Sequence, residues 1–66
     1  MPGRLTDREF TVWWLIYRGM SNQEIGRRMG IGVSAVKNYV GSLFGKRGFA
    51  CRSQAAVAMF RELQEI

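Results

Sequence analysis

Apolar residues recur along this chain at the three- and four-residue spacing of helices, and nowhere with the alternation of a half-buried strand. Val12, Trp13, Leu15 and Ile16 share one arc of a helical wheel, and further on Val36, Val40 and Leu43 share another, with Val33 and Phe44 at its margins and Ser34, Asn38, Gly41 and Gly45 opposite. Local signals bound these stretches. Thr6 with Glu9, and Ser21 with Glu24, are capping boxes, in which a hydroxyl takes a first-turn N–H and a carboxylate reaches back to the cap. Gly19, Gly30 and Gly48 follow the periodic stretches as helix stops. The pattern predicts helices over about residues 7–18, 22–29, 33–46 and 54–65, the third starting behind Gly32 and the fourth capped by Ser53. Residues 1–5, with Pro2 and Gly3, read as a lead-in. The expected fold is all-α, a four-helix domain in a single unit over residues 1–66.

Within it, residues 22–41 read as two short helices joined by a tight turn. Gly26 sits where one helix approaches the next, Gly30 four residues on where the chain turns, and Val36 six further on where the second helix points into the core. That is the spacing of a helix-turn-helix, whose second helix enters a DNA major groove.

Composition narrows the partners. Ten Lys and Arg against five Asp and Glu give a net charge of +5 and a pI near 10.4, which favours polyanions, nucleic acid first. The longest apolar run, Val12 to Tyr17, is six residues, far below the roughly 20 that cross a bilayer. No signal peptide is expected, and the single cysteine, Cys51, fits a reducing, cytoplasmic setting. With no histidine and five scattered acids, neither a metal site, a cofactor nor an enzyme's acid–base pair is expected. At 66 residues such a domain buries only roughly 60% of its unfolded surface, so its core must be economical.

Four stretches in order carry a further resemblance: LTDRE at 5–9, GMSNQEIGRRMGI at 19–31, AVKNYV at 35–40 and RSQA at 52–55. Together they resemble the LuxR-type helix-turn-helix domain, the DNA-binding end of many bacterial quorum-sensing regulators and response regulators. The resemblance runs from residue 5 to about residue 60. It implies a bacterial, cytoplasmic, sequence-specific transcription regulator that binds double-stranded DNA with its third helix in the major groove. Lys37 and Asn38 stand where family members reach base edges, and the third such place is held here by Gly41, which has no side chain. Lys46, Arg52, Ser21 and Asn22 match positions that grip phosphates or order the segments that do. Ser34 is a further backbone candidate, as is Ser42. Arg27 or Arg28 has either a phosphate or an acid such as Glu24 as partner.

Several positions depart from the family pattern. Arg47 replaces an aliphatic residue, so its charge must snorkel outward, where it adds a candidate phosphate contact. Gly41 and Gly45 weaken a helix yet let a phosphate or base edge approach the backbone. Phe10 and Trp14, with Tyr17 beside them, stand where polar residues are usual, a candidate protein-binding surface. The fourth helix is apolar on every side over residues 55–60, and the resemblance implies a weak homodimer through Val57 and its neighbours. Two other functions fit less well: promoter binding like region four of a sigma factor, and an adaptor or anti-activator that uses the aromatic surface of the first helix.

Overall fold

The structure, a computed structural model, describes residues 4–65. Its helices are α1 (Asp7–Tyr17), α2 (Asn22–Met29), α3 (Val33–Arg47) and α4 (Arg52–Gln64). The expected boundaries of α1 to α3 agree to within a residue, as caps of this strength dictate. Thr6 Oγ1 accepts from the Glu9 N–H at 3.1 Å while Glu9 Oε1 accepts from the Thr6 N–H at 2.8 Å. Ser21 and Glu24 repeat the exchange at 3.2 and 2.8 Å. The part of the lead-in formed by residues 1–3 lies outside the described residues, and Leu5 already packs against the core.

The start of α4 corrects the expectation. It begins at Arg52, not Gln54, and Ser53 lies inside its first turn instead of capping it. The residue before the helix is Cys51, extended at φ −159° and without a side-chain cap bond. Gln54 ties the preceding connection to the helix instead, its Oε1 accepting from the Ala50 N–H at 2.6 Å. Arg52 is drawn into the first turn by its own contacts with α2, described below.

Nine apolar side chains make the core: Val12, Trp13, Leu15 and Ile16 of α1, Ile25 of α2, Val36 and Leu43 of α3, and Ala55 and Met59 of α4. Every helix contributes, and α1 contributes most because α4, α3 and α2 all pack against it. Trp13 is its pivot. Fully buried, it donates from Nε1 to the Ala55 carbonyl at 2.8 Å, so its one polar atom is satisfied and α4 is fixed to α1. Phe49 leans on the same ring at 5.6 Å.

Gly26 sets the spacing of α2 and α3. A Cβ built there would lie 2.7 Å from the Ile31 carbonyl oxygen and 3.5 Å from Val36 Cγ2. The turn folds back over this bare backbone, with the Ile31 N–H donating to the Gly26 carbonyl at 2.9 Å. Gly30 makes the reversal possible by taking φ +71°, a left-handed conformation that other residues adopt only with strain.

Candidate nucleic-acid interface

Helix α3 turns Val36 and Leu43 fully into the core, which leaves Ser34, Lys37, Asn38, Gly41 and Gly45 exposed. Over its 15 residues the helix is about 22 Å long. Its outward face is low: a Cβ at Gly41 or Gly45 would have nothing within 4 Å. Lys37 and Asn38 therefore stand clear of the surface, with one cation and one amide. The side-chain bonds that α3 makes to other helices leave from Tyr39, Ser42 and Lys46, along the edge towards α1.

On that edge lies a residue whose tertiary role the sequence reading missed. Glu9 is buried at 4% exposure. Besides closing the α1 cap, its carboxylate accepts from Lys46 Nζ at 2.8 Å and, through Oε2, from the Ser42 hydroxyl. Lys46, then Ser42 and the Thr6 N–H, hold its carboxyl down at about 2, against an ordinary 4.5. Glu9 is thus a charged rivet between the start of α1 and the C-terminal half of α3. A signal was present: Ser42 and Lys46 are one turn apart beside the apolar face of α3, and a capping-box Glu on a core-facing position needs donors. Ser42, a candidate backbone contact, is exposed, but its hydroxyl proton is given to Glu9. Lys46 Nζ also donates to the Arg4 carbonyl at 3.0 Å, so two of its three protons have partners within the protein.

A second rivet joins α4 to α2. Arg52 donates from Nη1 to Asn22 Oδ1 at 2.8 Å and from Nη2 to the Met20 carbonyl at 2.6 Å. Asn22 is left with its amide protons as outward donors. Ser21, exposed, caps α2 with its hydroxyl, and the Glu24 carboxylate serves the Ser21 N–H. Those bonds from Ser21 hold Glu24 below its ordinary value. Arg27 and Arg28 make no ion pair with it; among the described residues the ion pair is Glu9–Lys46.

Arg47 is exposed, as a snorkelling charge would be, and it has a partner that was not expected. Its guanidinium carbon lies 5.1 Å from the centroid of the Trp13 ring of α1. The cation closes over an indole whose face an aliphatic residue would otherwise cover. Lys37, Asn38, Ser34 and Gly41 are brought to one face, and Lys46 to its edge; Ser21, Asn22 and Arg52 cluster at the start of α2.

Two apolar regions lie elsewhere. On α1, Phe10 is 49% exposed, edge-on to Trp13 at 5.7 Å, and half-buried Trp14 is tilted against Tyr17 at 5.5 Å with the Arg18 guanidinium 5.8 Å from its centroid. On α4, Val57 and Phe60 are half exposed, and an open groove of about 620 Å³ runs between Val57, Ala58, Arg61 and Phe49.

A bound two-helix unit with a glycine-pinned turn, an outward α3 and two flanking helices defines a helix-turn-helix domain. The family model for bacterial regulatory proteins of the luxR family matches residues 3–59. The chain belongs to that family of DNA-binding transcription regulators. It is similar to the DNA-binding transcriptional activator DevR/DosR of Mycobacterium tuberculosis, with 45% identity over 53 residues, 80% of this chain and 24% of that protein. It is also similar to the HTH-type transcriptional regulator MalT of Yersinia pestis, with 37% identity over 60 residues, 91% of this chain and 7% of that protein. The chain thus spans less than a quarter of the length of either relative. No solved structure matches it to a significant degree.

Proposed function

We propose that the chain binds double-stranded DNA with sequence preference, as part of a bacterial transcription regulator working in the cytoplasm, and that it does so by laying α3 in the major groove. The observation that carries this reading is the outward face of α3, exposed along its length, with Lys37 and Asn38 rising from a floor of Ser34, Gly41 and Gly45. Lysine reads guanine O6 and N7, and an asparagine amide pairs with adenine N6 and N7. A helix stripped to glycine at two places lets base edges or a phosphate approach the backbone.

Phosphates are held around that face. Ser34 and Gly41 meet the strand beside α3, and Lys46 contributes its remaining ammonium proton. Ser21 and Asn22 present the start of α2, where first-turn N–H groups left over from the cap point to an anion. Arg52 acts chiefly by fixing Asn22 and Met20. Arg47, engaged with Trp13, is not among the phosphate contacts.

Half-site pairing calls for a second copy, and the exposed Val57 with Phe60 on α4 supports weak self-association there. The exposed Phe10 with half-buried Trp14 on α1 supports a second surface, for another protein. An amide NMR titration with a mixed-sequence duplex tests the interface. Shifts concentrate at Ser34, Lys37, Asn38, Gly41 and the start of α2, whereas shifts centred on α4 would refute this orientation.

A further inference from the structure

The edge of α3 facing α1 carries one more pair that neither the cap nor the core explains. Arg8 Nη1 donates to the Tyr39 hydroxyl at 3.2 Å, joining residues 31 apart in the chain. Arg8 is exposed, and its neighbour Glu9 is buried and fastened to Ser42 and Lys46. That fastening fixes the backbone of Arg8 against α3. Tyr39, Ser42 and Lys46 follow at intervals of three and four residues, so they form a single edge, beside the outward face.

Charge on this edge is uneven. The Lys46 ammonium is answered by Glu9, the ion pair found among the described residues, and Arg8 meets no carboxylate there. Tyr39 accepts one bond from the guanidinium and keeps its own O–H proton to donate. The guanidinium N–H groups that Tyr39 leaves free form a donor set that suits an anionic oxygen with several lone pairs. The phenol also limits the arginine's rotamers, which reduces the entropy lost when an anion is gripped.

We infer that Arg8 contacts a DNA phosphate and that Tyr39 is its positioning residue, so that the phosphodiester backbone is gripped from the start of α1 as well as from α2 and α3. The inference rests on the proposal that α3 meets DNA. It adds a third helix to the interface, and it assigns Tyr39 a role outside base reading.

The test uses the whole chain and a fluorescein-labelled, mixed-sequence duplex of roughly 20 base pairs, two helical turns. Affinity is measured by anisotropy across a series of salt concentrations. Arg8→Ala weakens binding roughly tenfold, as loss of a charge-assisted bond does, and makes the slope of log K against log salt shallower by about 0.9, the share of one phosphate. Arg8→Lys keeps the slope. Tyr39→Phe weakens binding roughly threefold, as loss of a neutral hydrogen bond does, at unchanged slope. Thermal melts of all three variants report whether the fold is intact. A wild-type slope for Arg8→Ala, with wild-type binding present, overturns the inference and leaves the α3 reading standing. Absence of any salt-dependent binding by the wild type overturns both.

Discussion

Gly26→Ala separates close approach from ordinary helix propensity. In a helix interior, alanine is favoured over glycine by about 1 kcal/mol, so propensity alone predicts stabilisation. The added Cβ, however, would lie 2.7 Å from the Ile31 carbonyl oxygen. That oxygen belongs to a turn pinned to the same peptide: the Gly30 and Ile31 N–H groups both donate to the Gly26 carbonyl, the latter at 2.9 Å. Retreat of the oxygen breaks these bonds, and retreat of α2 disturbs Ile25, which has no exposed surface. Overpacking of this kind costs about 2–3 kcal/mol against the 1 gained, a net loss of about 1–2 kcal/mol. For a domain of this size that lowers Tm by roughly 5–15 °C. Gly41→Ala and Gly45→Ala are the internal controls, because a Cβ at either meets nothing within 4 Å. Each gains about 0.5–1 kcal/mol and raises Tm by roughly 2–8 °C. Far-UV circular dichroism melts of the three variants decide the matter. A Gly26→Ala protein as stable as Gly41→Ala would refute the close-packed turn.

Other consequences follow from the same contacts. Trp13→Phe removes the Nε1–H bond to Ala55 and part of a buried ring; it destabilises by about 2–4 kcal/mol, measured by urea titration. Arg52→Ala frees the Met20 carbonyl and Asn22, costs about 1–2 kcal/mol, and speeds amide exchange at the start of α2. Because the Glu9 carboxyl is lowered to about 2 when folded, its contribution is complete above its ordinary 4.5 and is lost as pH falls towards 2. Tm therefore declines across that window, and Glu9→Gln flattens the decline; equal slopes for the two proteins contradict the rivet. Val57→Glu lowers self-association in sedimentation equilibrium while leaving the melt nearly unchanged, since the side chain is 51% exposed.

How far the sequence revealed this molecule depended on the range of the interactions. The two capping boxes and the glycine stops are local, and they placed α1, α2 and α3 almost to the residue. The core face of α3 was equally legible, because Val36 and Leu43 recur on one side of a helix. The start of α4 was misjudged because residue type favoured Ser53, whereas Arg52 is drawn into the helix by groups 30 and 32 residues away. The Glu9 rivet spans 33 and 37 residues, and a local pattern reported only its capping half. Arg47 was read as a departure from the family pattern and not as a lid for Trp13, since that requires knowing that α3 ends over α1. On α3, the exposed face with Ser34, Asn38, Gly41 and Gly45 was legible from periodicity, and Lys37 was added by the family resemblance. The Arg8–Tyr39 pair was not legible, because neither residue is unusual until α1 lies beside α3.

The most direct measurement is selection of tight binders from a random-sequence duplex pool, followed by sequencing, for the wild type and for Lys37→Ala and Asn38→Ala. Placement of α3 in the major groove predicts an enriched motif, with each substitution abolishing preference at its own base pair, a loss of about 1–3 kcal/mol of discrimination. Tight, steeply salt-dependent binding with no enriched sequence, or a motif unaltered by both substitutions, would contradict it.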